Sequence, residues 1–264
     1  MEIMFTCSEC MKGKNSFSAL EMVDLIQYEE LSGDGYYDFL CKKGHRNIIV
    51  SQEPTFELLF QSGVALLSQK HYREAVFDFA SALERFMEFC LKALLFSEQL
   101  PFDMFDKTWK GISNQTERQL GAFYFVYLMS MKEPPLIITD KKFNISSKKD
   151  MANFRNAVIH KGDFPSKEES WKYGRNVYDY IVLVLTALND RLGDKWQTGL
   201  TQAVFHHLND VRTRLKNNLG DDLNDAIVRQ QSMPTFVSVS RPIPEISFQQ
   251  VMEEYISATP RFVK

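Results

Sequence analysis

From Thr55 onward the apolar residues of this chain recur at intervals of three and four rather than two, and they keep that spacing through most of the remaining sequence. A chain patterned this way buries its hydrophobic surface by packing helix on helix, so the expected fold is mainly α. Residues 55–69 make one helix. Tyr72–Phe96 makes a longer one, with Tyr72, Val76, Phe79, Leu83, Phe86, Cys90 and Leu94 on one stripe. Phe77, Leu91 and Leu95 fall on its other faces, which predicts a helix packed on most sides at the centre of a bundle. A third helix spans 115–131 and stops at Pro134 and Pro135, after which 140–147 reads as a polar loop. Pro165, Glu168 and Glu169 open a further helix that runs through Tyr178, Ile181, Leu185 and Leu188.

Between the third helix and this last one, residues 153–162 read Asn-Phe-Arg-Asn-Ala-Val-Ile-His-Lys-Gly. Ser147 and Asp150 have the spacing of an N-terminal capping pair and Gly162 sits where a C-cap falls, which predicts a short helix over 148–160. At about 100° per residue, Met151, Phe154 and Val158 share an apolar arc while Asn153, Asn156 and His160 share a polar one. Arg155 is the misfit, pointing between Met151 and Ile159 toward the core side. A guanidinium there needs a carboxylate, a phosphate or an interface. Glu84 and Glu88, flanked by Phe77 and Leu91 on the second face of the long helix, are candidates to hold it. The plain alternative is an arginine paired with a buried glutamate and a histidine that only caps the helix C-terminus.

Before Thr55 the pattern is different. Cys7 and Cys10, then Cys41 and His45, form two short pairs, each able to fold into a turn that aims both side chains at one tetrahedral ion. Three thiolates and an imidazole suit structural zinc. Tyr37, Phe39 and Cys41 alternate, and residues 47–50 follow as an apolar run, both readable as strands of a zinc ribbon over residues 1–53. Reduced cysteines in a small hairpin, with His45 a solvated turn residue, are the alternative. The 264 residues carry four cysteines, too few for a disulfide scaffold, and no run of about 18 apolar residues. A cytoplasmic protein without a signal peptide or membrane span is expected.

The Arg155-Asn156-x-x-x-His160 pattern, followed by Lys161 and Gly162 and flanked by helices on both sides, resembles the signature of the HEPN superfamily. These are all-α domains whose Arg-x(4 to 6)-His motif often carries metal-independent ribonuclease activity. The resemblance covers roughly residues 55–192, about half the chain. It implies a HEPN-like helical bundle in which Arg155, Asn156 and His160 are catalytic, and in which an acidic residue on the neighbouring helix, here Glu84, completes the site. It also implies a homodimer with the active site across the interface, RNA (tRNA among the candidates) as substrate, and a setting of phage defence or a toxin paired with an antitoxin protein. No cofactor is implied for catalysis.

A net charge of −3 does not mark the whole chain as a nucleic-acid binder, so such a site must be local. Between 141 and 167, Lys141, Lys142, Lys148, Lys149, Arg155, Lys161 and Lys167 outnumber Asp150 and Asp163, which makes that local patch around the motif. The first 53 residues are acidic, which favours a structural or partner-binding ribbon and disfavours a transcription factor reading DNA through it. Beyond the bundle, 201–219 and 221–231 read as helices and 247–256 as a last short one. Residues 232–246, with Pro234, Pro242 and Pro244, read as an extended linker. His206 and His207 lack a second ligand pair and are expected at the surface. The expected domains are thus a zinc-ribbon-like module (1–53), a HEPN-like helical domain (54–195) and a helical C-terminal extension (196–264). The functional alternative to a ribonuclease is a non-catalytic HEPN-like module that binds a nucleotide or a protein, with the ribbon as its docking element.

Overall fold

The computed structural model describes residues 2–12, 26–135, 141–146, 149–223, 227–231, 236 and 246–258. In chain order the elements are β1 (Glu2–Thr6), α1 (Ser8–Met11), β2 (Ile26–Glu30), β3 (Tyr36–Leu40), β4 (Arg46–Ser51), α2 (Thr55–Ser68), α3 (Tyr72–Phe96), α4 (Phe102–Trp109) and α5 (Thr116–Met131). They continue with α6 (Met151–His160), α7 (Lys167–Leu192), α8 (Asp194–Leu219), β5 (Ile227–Gln231) and α9 (Phe248–Ala258). The fold is mainly helical, with a small strand region at the N-terminus and a short helix near the C-terminus. None of the described helices is long and apolar enough to cross a membrane.

The chain forms two compact units. One consists of residues 1–53 and 204–233, the other of residues 54–203 and 234–264. Residues 204–233, expected in a separate extension, therefore belong with the N-terminal residues.

In the helical unit, α3 packs against α2, α5, α6 and α7. Its burial is nearly all-round: Val76, Phe79, Leu83, Phe86, Cys90 and Leu94 are buried on the expected stripe, and Leu91 on another face. Phe77 departs from expectation, being 52% exposed. Phe79 sets the closeness of three helices. A Cβ built on Gly63 of α2 would stand 2.7 Å from the Phe79 ring, and one on Gly174 of α7 would stand 2.6 Å from it. Two glycines thus form the slot for one phenyl ring. The segment beyond β5 returns to this unit. Phe236 is buried against Phe60 and Tyr178, and its backbone N–H donates to the buried Glu57 carboxylate at 3.0 Å.

In the other unit β1 and β2 pair antiparallel, β3 and β4 form an antiparallel hairpin, and β5 adds to β4 in parallel. β4 is buried on both faces. Ile49 joins Phe5, Tyr37 and Phe39, while Ile48 and Val50 pack on Leu208, Val211 and Leu215 of α8.

Several expectations change. The helix expected over 221–231 is replaced, among the described residues, by a 3₁₀ turn at Gly220–Leu223 after α8 and the strand β5 at 227–231. The ladder offered by β4 overrides a weak local preference. α4 was not foreseen, because a helix of two turns with Phe105 as its one buried residue displays no period. His206 is buried, not at the surface, with Nδ1 3.8 Å from Asp210 Oδ2, and His207 is half-buried with Nε2 3.3 Å from the Ser51 carbonyl. The polar loop at 140–147 contains a 3₁₀ turn, Lys141–Phe143, whose Phe143 is buried. Ser147, Lys148, Pro234, Pro242 and Pro244 lie outside the described residues.

Candidate functional site

The motif helix α6 begins where Asp150 caps it. One carboxylate oxygen accepts from the backbone N–H of Asn153 at 2.7 Å and the other from the Asn153 side chain at 2.7 Å. The helix ends at His160, where Gly162 takes φ +80° and the N–H of Asp163 turns back to the Ala157 carbonyl at 3.1 Å. α7 opens almost at once with a capping box. The Ser166 hydroxyl accepts from the Glu169 N–H at 3.2 Å and the Glu169 carboxylate accepts from the Ser166 N–H at 2.9 Å. The side chains of α6 are thus held between two fixed ends, with Met151, Phe154 and Val158 buried and Asn153, Asn156 and His160 exposed.

Arg155 organises the cluster. Its Nη2 donates to Glu84 Oε1 at 2.6 Å, and its Nη1 donates to Asn156 Oδ1 at 3.0 Å and approaches His160 Nε2 at 3.3 Å. A guanidinium can only donate, so Nε2 is the acceptor in this arrangement and the imidazole carries its proton on Nδ1. The Arg155 and Glu84 side chains are 25% and 24% exposed, neither sealed from water nor fully in it. That leaves room for an anion to approach the guanidinium from outside. Tyr173 lies behind them, its ring 5.5 Å from that of Phe154. Burial pushes its phenol far above the ordinary value, Arg155 opposes that, and Glu84 adds to it. Glu88 does not hold Arg155. It pairs with Arg85 and, at 2.9 Å, with Lys92 of its own helix.

The basic patch is partly engaged. Lys149 Nζ is 4.0 Å from Glu169, and Lys142 lies over the Phe143 ring at 4.9 Å. Lys141, Lys161 and Lys167 are exposed.

In the other unit, Cys7, Cys10, Cys41 and His45 converge, with their ligand atoms all within 4.8 Å of one another. Cys10 Sγ and Cys41 Sγ are 3.8 Å apart, and His45 Nδ1 is 3.6, 3.4 and 3.6 Å from the sulfurs of Cys7, Cys10 and Cys41. Zn–S bonds of ~2.3 Å and Zn–N bonds of ~2.05 Å at tetrahedral angles require edges of ~3.8 Å for S···S and ~3.6 Å for S···N. These four distances match such edges, so Cys7, Cys10, Cys41 and His45 could bind a metal ion such as zinc. Two local turns make them. Cys7 caps α1, and the Cys41 loop closes through the Gly44 N–H to the Cys41 carbonyl at 2.8 Å, with Gly44 at φ +81°. Asn47, not foreseen from the sequence, is buried and donates to Cys7 Sγ at 3.4 Å and to the His45 carbonyl at 2.9 Å. The sequence carries no signal for it, since β4 has polar residues at Arg46 and Ser51 as well.

Burial resists charge on Cys7, but the Cys10 N–H, Asn47 and His45 outweigh it and bring its thiol down to about 6. Burial and the neighbouring sulfurs of Cys7 and Cys41 push Cys10 up to about 11. Crowded thiols divide their protons this way, and a dication removes the conflict by ligating all three as thiolates.

Compared with family models, curated proteins and solved structures, the chain matches none of them.

Proposed function

We propose that the protein is a metal-independent endoribonuclease of the HEPN type, cleaving RNA by transesterification through its 2′-OH, with Cys7, Cys10, Cys41 and His45 holding a structural zinc. The observation that carries this reading is the continuous Glu84–Arg155–His160 chain of polar contacts at 2.6 and 3.3 Å, with Asn156 on the same guanidinium at 3.0 Å. In the reaction a base removes the 2′-OH proton, the 2′-oxygen attacks the adjacent phosphorus, and an acid protonates the departing 5′-oxygen. Histidine serves either task near neutral pH.

Arg155 has two roles in succession. In the free protein its Nη1 engages the His160 lone pair. When a phosphate draws Nη1 away, Nε2 is released as the base, and the guanidinium stabilises the charge growing on the phosphorane oxygens. Glu84 fixes the far side of the guanidinium so that this exchange is a small motion. Asn156 orients the phosphate or the ring. One chain has one motif histidine while the reaction needs a base and an acid, so a second copy of the chain completes the site and His160 of the partner subunit takes the other task. The zinc takes no part. The RNA-cleaving setting that fits such a site is phage defence or a toxin restrained by a partner protein.

The test is incubation of wild-type and His160→Ala protein with total RNA and tRNA in magnesium-free buffer containing EDTA, with products read on a denaturing gel and their ends assayed for 2′,3′-cyclic phosphate. Cleavage by the wild type, lowered roughly 10²–10⁴-fold by His160→Ala and roughly 10²–10³-fold by Arg155→Ala, is the expected result. Absence of cleavage in the wild type transfers the cluster to a binding module. Full activity in either variant sinks the mechanism.

A further inference from the structure

The connection between α6 and α7 exposes a large apolar side chain that the fold does not use. Phe164 is 88% exposed, more than Phe125 at 69% or Met129 at 70%. Single exposed apolar residues are ordinary on a protein surface. Phe164 differs in how it is held and where. On one side of it the Asp163 N–H is bonded to Ala157 and Gly162 is turned to φ +80°; on the other Pro165 is buried and Ser166 sits in its capping box with Glu169. The backbone is pinned at both ends of the connection, and between them the ring stands in water. It is four residues from His160, and even a fully extended chain separates those positions by no more than ~14 Å. Exposed Lys161 lies between them and exposed Lys167 just beyond.

The chemistry at His160 gives such a ring a use. In a stacked A-form strand the 2′-oxygen is not in line with the P–O5′ bond, so attack requires the nucleotides at the scissile phosphate to be splayed apart. A splayed base exposes two apolar faces, and an aromatic side chain is the surface that covers one of them. We infer that Phe164 is a stacking platform for an unpaired base beside the scissile phosphate. This inference rests on the ribonuclease reading for its site. Arg155 and Lys161 hold phosphates, Phe164 holds the base, and Phe164 is a positioning residue rather than a catalytic one.

Binding and cleavage are measured separately. Binding uses a fully 2′-O-methylated 12-mer, which cannot be cleaved, single-stranded or annealed to its complement, and is read by fluorescence anisotropy. The wild type binds the single strand more tightly than the duplex. Phe164→Ala weakens single-strand binding about 5- to 100-fold and leaves duplex binding unchanged, Phe164→Trp restores it, and Phe164→Leu, which keeps apolar area without a π face, does not. On cleavable RNA, Phe164→Ala raises KM more than it lowers kcat. Equal single-strand binding by wild type and Phe164→Ala overturns the platform, as does rescue by leucine. A ring that seats a second protein copy instead is revealed if Phe164→Ala dissociates a dimer in sedimentation without changing oligonucleotide binding. If the wild type cleaves and Phe164→Ala cleaves equally well, the platform falls and the ribonuclease stands. If nothing cleaves while single-strand binding still depends on Phe164, the ribonuclease falls and a single-strand binding site remains.

Discussion

At the scale of single residues, the choice between Glu84 and Glu88 shows what a sequence holds and what it does not. Both carboxylates lie on one face of α3 a single turn apart, and their phase alone makes either a partner for a misplaced arginine. Which one meets Arg155 depends on how far α6 is displaced along α3, a packing register that no local pattern encodes. The structure places Glu84 at Arg155 and ties Glu88 to Arg85 and Lys92. The role given to Glu84 is positional, and it leads to an expected outcome. Glu84→Gln keeps the shape and an acceptor oxygen but replaces a charge-assisted bond with a neutral one, about half as strong. A loss of ~1.4 kcal/mol at the transition state lowers kcat about tenfold, while the melting temperature falls little because the pair is partly solvated. Steady-state kinetics beside a thermal melt check both; an unchanged kcat removes Glu84 from the mechanism. Asn47 was invisible for the opposite reason, since an asparagine in a strand announces nothing until the sulfur beside it is known.

At the scale of elements, most of the long helices of the bundle were legible nearly to the residue, while α8, read from 201, begins seven residues earlier at Asp194. The period over Tyr72–Phe96 repeats enough times to fix both ends, and the first turn of α7 is marked by Pro165 and two glutamates. α4 and β5 are too short for any period, and β5 exists only because β4 presents a ladder to it. The glycine slot around Phe79 is likewise a matter of contact. Gly174→Ala drives a Cβ into the Phe79 ring, and the expected cost is about 1–3 kcal/mol, read as a lowered thermal midpoint. Shortening the obstructing ring in the double variant Phe79→Leu/Gly174→Ala recovers part of that loss relative to the two single changes added together. Strict additivity in this double-mutant cycle shows that the slot does not set helix spacing.

At the scale of the whole molecule, Cys7, Cys10, Cys41 and His45 bring separate parts of the strand-bearing unit to one place that could bind a metal ion such as zinc. Ligand binding to a site that exists only when folded is folding free energy, so prolonged dialysis against a strong chelator is expected to make residues 1–53 susceptible to protease while one equivalent of zinc restores protection. The pH dependence has a definite sign. Each thiol must shed its proton to ligate, and Cys10, raised to about 11 by burial and its neighbouring sulfurs, competes hardest for one. Zinc affinity therefore falls as pH falls, and metal analysis after gel filtration at pH 5 and pH 8 reads the loss at the acid end. The discontinuity of this unit was not legible, because nothing in residues 204–233 names residues 46–51 as their partner.

That discontinuity also orders events in time. β5 meets β4 in a register that joins Ile227 to Asn47, about 180 residues back. A ribosome extending at ~5–20 residues per second exposes β4 on the order of ten to forty seconds before its partner strand is made. β4 is thus made well before the strand that completes its sheet. Through that interval its open edge and the Ile48 and Val50 side chains, covered in the finished fold by Leu208, Val211 and Leu215, are available to any passing strand.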